Sequence, residues 1–262
     1  MESNKEIRKL LEVAVYAGKL MLINGGETYR VEETIEWIVK SRGVTDIENF
    51  IVPTGIFVSC EHEGEQYSYL RRIRSTRIDL EIISLVNAFS REFVQSDMTT
   101  DVAMDRLREI EHAPLYKWPV TVVFGGLAGA FFALMLGGQW PEGVLAFVTS
   151  GAVVAAVRLF QKHIASYFIR STLGGAVTMT VAYLLTAMVS PWLVHVRLDQ
   201  VVIGSIMPLV PGVAITNALR DSINGDFVTG VSKMTEAIIT ALGIAIGVGV
   251  ILQAINSLGG GV

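Results

Sequence analysis

The second half of this sequence contains long apolar stretches without a charged residue, and they constrain its fold more than any other feature. A helix needs about 20 such residues to cross roughly 30 Å of hydrocarbon. The stretches predict five membrane-spanning helices over residues 119–138, 143–157, 171–194, 201–219 and 237–258. The second stretch is short and needs Trp140 and a snorkelling Arg158 to complete it, so merging it with its neighbours would leave four spans.

The charged residues divide the chain at the start of the first stretch. Residues 1–117 contain 15 of the 21 Lys and Arg and 20 of the 25 Asp and Glu. We therefore expect an α-helical integral membrane protein with an N-terminal cytoplasmic α+β domain, the two domains being 1–117 and 118–262. The formal net charge of −4 does not favour a nucleic-acid partner.

The basic residues also predict an orientation, because cytoplasmic loops of membrane proteins are enriched in Lys and Arg. The loops after the second and fourth predicted spans contain Arg158, Lys162, Arg170, Arg220 and Lys233. The opposite face has only Arg197. The first residues lack the features of a signal peptide, so the N-terminal half is expected to stay where it is made. Five spans then place Val262 outside the cell.

The N-terminal half shows helical and strand periodicities in turn. Apolar residues at helical spacing predict a helix that stops at 24–26 and a second with Val31, Ile35 and Ile38 facing inward. Alternating patterns over 49–61 and 65–73 predict two strands around a turn. Two more helices are expected over 79–94 and 100–113, the latter capped by Thr100 or Asp101.

The fourth span is unusual because two prolines interrupt it, in "IGSIMPLVPGVAITNALRDSINGD". Pro208 has no N–H to donate to the Gly204 carbonyl, and Pro211 has none for Met207. Together with Gly212, this predicts a broken helix whose carbonyls line a wet cavity, as in many transporters. The alternative is a proline-kinked helix that ends normally at the cytoplasmic interface.

Polar residues continue beyond the break. Asn217, Asp221 and Asn224 recur at helical spacing, and Asp226 follows, so this stripe is a candidate continuation of the transport path. Thr178 and Thr186 give weaker support on one face of the third span, although threonine hydroxyls there can simply bond to their own helix.

Small residues on the first and last spans predict close helix packing. They serve either packing within the bundle or an interface with another chain. The positions are Gly125, Gly129, Ala133 and Gly137 on the first span, and Ala241, Gly243, Ala245, Gly247 and Gly249 on the last.

The sequence has no motif for a cofactor or a metal. The four histidines lack metal-ligand spacing, and no P-loop is found, so we expect neither a metal site nor an ATP-driven motor. The arginines of 71–77 are either a solvated or acid-paired face, or a site for an anion or a lipid headgroup.

Two segments resemble the threonine/serine exporter family. "NGGETYRVEETIEWI", followed by "PTGIFVS", resembles its cytoplasmic part, and "MPLVPGVAITNALRDSINGD" resembles its membrane signature. The chain is similar to the split form of the family, a YjjP-like subunit. The resemblance implies ion-gradient-driven export of small hydroxy amino acids, or of dicarboxylates such as succinate. It points to Thr28, Arg30 and Glu32 in the N-terminal half, and in the membrane to Pro208, Pro211, Gly212, Asn217, Asp221 and Asp226.

Two functions from different classes stay open. One is a subunit of a secondary exporter, and the other is a membrane-anchored sensor or regulatory binding protein. An intramembrane enzyme is disfavoured because no nucleophile–base set stands out. The family's single-chain exporters carry a second block of spans that this sequence does not contain. The expected partners are therefore a small-molecule substrate, membrane lipid, and a second small multi-span subunit or further copies of this chain.

Overall fold

The computed structural model describes residues 2–113, 116–161, 163–164, 166–190 and 196–259, which form two compact units. The mixed unit comprises Met1–Pro114 and Val213–Met234, and the helical unit comprises Leu115–Gly212 and Thr235–Val262. Lys162 and Val262, on which the predicted membrane orientation partly depends, lie outside the described residues. The end of the predicted third span lies outside them too. The predicted domain boundary at residue 117 separates a cytoplasmic part of the chain from a membrane part, and it stays a prediction.

The four helices predicted for the N-terminal half are confirmed, as α1 (Glu2–Ile23), α2 (Thr28–Lys40), α3 (Leu80–Gln95) and α4 (Thr100–Glu111). The predicted cap of α4 is wrong by one residue. Thr99 caps this helix because its hydroxyl accepts a hydrogen bond from the Val102 N–H.

The β-sheet has three antiparallel strands in the order β1 (Asp46–Val52), β2 (Gly55–His62) and β3 (Glu65–Arg72). The prediction of one strand over 49–61 is wrong, because the chain reverses at Pro53 and Thr54 and Val52 pairs with Gly55. Proline has no N–H for the ladder, so it is excluded from the interior of a sheet, and Pro53 was the available signal.

Large aliphatic side chains fill the core of the mixed unit. The predicted inward residues Val31, Ile35 and Ile38 are each fully buried, and Phe93 of α3 is fully buried too. The same unit includes most of α9 (Gly212–Ile223) and the first turns of α10 (Phe227–Ser257). A stretch predicted to end a membrane span therefore packs together with the N-terminal part of the chain.

The helical unit contains α5 (Trp118–Met135), α6 (Trp140–Phe160), α7 (Tyr167–Val189), α8 (Leu198–Ile206), a 3₁₀ turn (Met207–Leu209) and the remainder of α10. Among the described residues, four helices are long and apolar enough to cross a membrane. A fifth span results if Leu198–Leu209 and Gly212–Ile223, which are bent by 56° at their break, count as one. These findings confirm an α-helical membrane protein with an N-terminal α+β region. The second predicted span, α6, is a full helix of 21 residues.

Small residues let the helices of the helical unit approach closely. A Cβ on Gly125 would lie 2.6 Å from the Val154 side chain, and one on Gly129 would lie 3.0 Å from the Ala146 carbonyl oxygen. Gly243 likewise faces the Phe168 carbonyl oxygen. Packing within the bundle, one of the two predicted roles, is therefore confirmed for these positions. Gly137 follows the end of α5 and is not part of the ridge.

Candidate functional site

The loop between α1 and α2 is held rigidly from inside the mixed unit. Asn24 is fully buried, its amide donates to the Leu20 carbonyl oxygen at 2.6 Å, and its Oδ1 accepts from Arg77 Nε at 2.7 Å. The next residue, Gly25, has φ +91°, a conformation that side-chain-bearing residues rarely adopt. The loop therefore presents the Gly25 carbonyl and the start of α2 in one defined geometry. The same contact pairs Arg77, one of the arginines of 71–77, with Asn24.

Helix α9 binds this loop through Asn217. The side chain is buried, and its Nδ2 donates to the Gly25 carbonyl oxygen at 2.9 Å. Asp221 lies one turn further along the same face of α9, as the spacing in the sequence predicted. Asn217 and Asp221 thus point to the same part of the mixed unit.

The Asp221 carboxylate caps the N-terminus of α2. It is 1% exposed, and its two oxygens accept from the Thr28 N–H at 3.3 Å and the Thr28 hydroxyl at 3.4 Å. The preceding residue, Glu27, occupies the N-cap position but makes no side-chain cap hydrogen bond. Because the first N–H groups of a helix attract negative charge, a residue 193 positions away takes over the capping role.

Lys233 of α10 completes the cluster. Its Nζ lies 2.7 Å from Asp221 Oδ2 and 3.4 Å from the Thr28 hydroxyl, and its side chain is 13% exposed. Removing one partner of a buried ion pair costs about 3–5 kcal/mol, whereas replacing both by apolar groups is often close to neutral. Thr28, Asp221 and Lys233 therefore form one coupled polar cluster, which we call the Asp221 cluster.

Glu32 lies on the next turn of α2 and interacts electrostatically with Asp221 of this cluster. Burial raises the pKa of Glu32 to about 7, and the charges of Asp226, Glu36 and Asp221 add to the increase. Asp226 also caps α10, since its Oδ1 accepts from the Thr229 N–H at 3.1 Å. Glu32 therefore titrates near neutral pH, in the range where a small change of pH alters its charge.

A second ion-paired group adjoins the cluster. Glu27 is 8% exposed, and its carboxylate contacts both Arg220 of α9 and Arg30, the latter at 3.8 Å. Arg30 is among the residues predicted from the sequence, whereas Glu27, Arg220 and Lys233 are not predicted as site residues. The last two enter the prediction only as markers of orientation.

The other predicted site residues belong to the helical unit or its boundary. The carbonyls of Gly204 and Met207 are not left unpaired by the prolines, because they accept from the N–H groups of Met207 and Val210 in tighter turns. The expectation of unpaired carbonyls is wrong for this reason. The role of Gly204, Met207, Pro208, Pro211 and Gly212 in a transport path stays a prediction.

Gly204 has a clear packing role, because a Cβ there would lie 2.6 Å from the Ala133 side chain. On α7, the Thr178 hydroxyl donates to the Gly174 carbonyl oxygen of its own helix at 2.8 Å. The Thr186 hydroxyl is buried and has no hydrogen-bond partner among the described residues. Among all the residues that the structure describes, no group of three His, Cys, Asp or Glu could hold a metal ion.

The fold and these contacts define a multi-pass helical membrane protein with a mixed α+β unit that holds a buried polar cluster. The chain belongs to the family described as "Putative threonine/serine exporter", whose model matches residues 12–255. No solved structure matches the chain.

Three curated relatives fall into two size groups. The chain is 24% identical over 258 residues to the "Probable threonine/serine exporter" of Mycobacterium tuberculosis, and 21% identical over 257 residues to the "Threonine/serine exporter" of Corynebacterium glutamicum. These matches cover 96% and 97% of this chain but only 47% and 53% of the relatives. The chain thus spans about half their length. It is also 21% identical to the "Probable succinate transporter subunit YjjP" of Escherichia coli, with 92% of this chain and 93% of that protein aligned.

Proposed function

We propose that this chain is a subunit of a secondary exporter that uses an ion gradient to move small metabolites out of the cell. The substrate class is threonine- or serine-type amino acids, or dicarboxylates such as succinate. The observation that carries the proposal is the Asp221 cluster: it joins the "NGGETYR" loop to the helix that directly follows the proline break. Two segments distant in sequence thereby form one polar site in a protein of the exporter family.

The packing of the mixed unit supports the proposed orientation. Arg220 and Lys233, which the basic-residue rule assigns to a cytoplasmic loop, belong to the same compact unit as residues 1–114. Because these residues pack in one compact unit with residues 1–114, we propose that they share the cytoplasmic side of the membrane.

A partner subunit is the second element of the proposal. The full-length exporters among the relatives are about twice as long as the aligned region, whereas the protein called a transporter subunit is aligned over nearly its whole length. We therefore propose that a second small multi-span protein, or further copies of this chain, complete the pathway.

The test is export of threonine, serine and succinate from cells that lack the gene and are complemented with this chain, alone or with a small multi-span protein from the same genome. Efflux is normalised to correctly inserted protein. We expect efflux of at least one substrate to depend on the chain. If no combination restores efflux of any of the three, the exporter proposal is wrong.

Charge variants separate a transport role of the Asp221 cluster from a structural one. Asp221→Asn and Lys233→Met each leave a buried charge or polar group without its partner, so both should lower stability. The double variant removes both charges and should recover much of that stability. Export that stays low in the stable double variant supports a role in transport. Export that recovers together with stability would assign the cluster to folding alone.

The proline break is tested in the same assay. Replacing Pro208 and Pro211 with Ala restores two N–H donors and allows α8 and α9 to continue as a straighter helix. We expect a folded protein with reduced export per inserted molecule. Parental export by this double variant would show that the break is only a kink.

A further inference from the structure

A cavity of about 290 Å³ in the mixed unit opens beside the N-terminus of α2. One part of its lining is apolar and includes Met21, Leu80 and Ile83. The other part is charged and is formed by Glu27, Arg30 and Arg220. This volume is just below the usual range for ligand pockets, roughly 300–1,000 Å³, so it suits a molecule of amino-acid size.

The charges of the cavity do not cancel. The buried Glu27 carboxylate lies between the two guanidinium groups, so the three side chains carry a net charge of +1. The side chains of Arg30 and Arg220 remain 42% and 54% exposed. In the described part of the chain, Glu27 is the only side-chain partner found for either arginine.

Each guanidinium has five N–H donors in a planar fork that matches the geometry of a carboxylate. Contact with Glu27 occupies only part of this capacity. The remaining donors can bind a further carboxylate, and the apolar part of the lining suits a short aliphatic chain.

We propose that this cavity is a binding site for a small aliphatic carboxylate, which Arg30 and Arg220 contact. A ligand with an ammonium group would also meet the Glu27 carboxylate, and one with a second carboxylate would engage both arginines. The choice of threonine and succinate as probes rests on the proposed function, whereas the carboxylate chemistry rests on the two arginines alone.

The position of the cavity relates binding to the Asp221 cluster. Asn217, Arg220 and Asp221 lie within two turns of α9, and Asn217 lines the cavity as well. A carboxylate that competes with Glu27 for Arg220 would change the contacts of the helix that carries Asp221. The site would therefore recognise its ligand in the mixed unit, next to the cluster for which we propose a transport role.

The test is equilibrium binding to the purified full chain in detergent, by calorimetry and ligand-detected NMR. The probes are L-threonine, succinate and L-threoninol, which has no carboxylate. We expect threonine or succinate to bind at one site per chain, and threoninol to bind at least tenfold more weakly. A preference for threonine indicates that Glu27 contacts an ammonium group, and a preference for succinate indicates that both arginines bind carboxylates.

Variants locate the site. Arg30→Gln and Arg220→Gln should each weaken binding about tenfold or more, because each removes a charge-assisted hydrogen bond. Arg106→Gln is the matched control, since Arg106 is also 54% exposed and ion-paired but lies on α4 away from the cavity lining. Parental affinity in both cavity variants, or no binding of either carboxylate at millimolar concentration, overturns the proposal.

The binding result and the efflux result are independent. Carboxylate binding that depends on Arg30 and Arg220, without efflux, retains the site and contradicts the exporter. Efflux without such binding retains the exporter and contradicts the site.

Discussion

The two units of this protein differ in the size of the side chains that pack in their interiors. The core of the mixed unit consists mainly of large side chains, such as Phe93, Ile35 and Leu11, which are almost completely shielded from solvent. In the helical unit, the buried cluster is rich in small residues such as Ala133 and Ala146. Its large side chains often point outward instead.

The difference follows from the surroundings of each unit. In water, burying large apolar side chains is the main driving force for folding. Lipid is as apolar as a leucine side chain, so helices in a membrane gain little from burying one and associate through close backbone contact. Large-to-small changes should therefore damage the mixed unit, and small-to-large changes should damage the helical unit.

The largest expected effect is that of Gly129→Leu. Gly129 lies directly against Ser150 and the Ala146 carbonyl, so a leucine would force α5 and α6 apart. We expect loss of most correctly folded protein, measured as the monodisperse fraction after extraction in mild detergent.

Gly249→Leu is the matched control, because a Cβ at Gly249 meets no atom within 4 Å. This variant should remain folded. If both variants behave alike, close backbone contact is not what holds the helical unit together.

The second effect is that of Phe93→Ala in the mixed unit. Removing a fully buried phenylalanine side chain lowers the free energy of unfolding by about 3–5 kcal/mol, through lost burial and the remaining cavity. Phe131→Ala in α5 should change it much less, because this side chain is 65% exposed and faces the surroundings of the helical unit. Chemical denaturation of both variants measures the difference. Equal losses would remove the contrast between the two cores.

The sequence predicted the helices well because their periodic apolar faces are local signals, as Val31, Ile35 and Ile38 show. It placed Asn217 and Asp221 on one face for the same reason. It could not predict that Asp221 caps α2, because a contact across 193 residues leaves no trace in local spacing. Lys233 was missed since a lone lysine in a predicted loop is indistinguishable from a marker of orientation.

The third expected effect is a change in how the stability of the mixed unit depends on pH. The pKa of Glu32 in the folded protein is about 7, against an ordinary value of 4.5, so the folded state retains this proton where the unfolded state has lost it. The contribution of Glu32 to stability therefore falls as pH rises from about 4.5 to about 7. Glu32→Gln removes this loss and should be more stable than the parent at pH 8, by about 1–2 kcal/mol after allowance for solvent screening.

Glu33→Gln controls for the change of net charge, because Glu33 is the exposed neighbour on the same helix. Thermal unfolding of the parent and both variants at pH 5 and pH 8 gives the comparison. A gain for Glu32→Gln that is equal at both pH values would show that Glu32 is not the titrating group.

The smallest expected effect concerns two buried threonines of the helical unit. Thr149 and Thr178 are both fully buried, but the Thr178 hydroxyl donates to the Gly174 carbonyl, whereas the Thr149 hydroxyl has no partner among the described residues. An unpaired buried hydroxyl costs roughly 1–3 kcal/mol, and valine has nearly the same shape. Thr149→Val should therefore be neutral or stabilise the protein by about 1 kcal/mol, while Thr178→Val should destabilise it slightly.

Thermal stability in detergent measures both changes, and efflux per inserted molecule shows whether either hydroxyl contributes to transport. If Thr149→Val is more stable but exports less, the unpaired hydroxyl serves transport, and the small-residue core of the helical unit has retained a polar group at the expense of stability. If it is more stable and exports normally, the hydroxyl has no such role, and the next position to change is Thr186, whose buried hydroxyl also has no partner among the described residues.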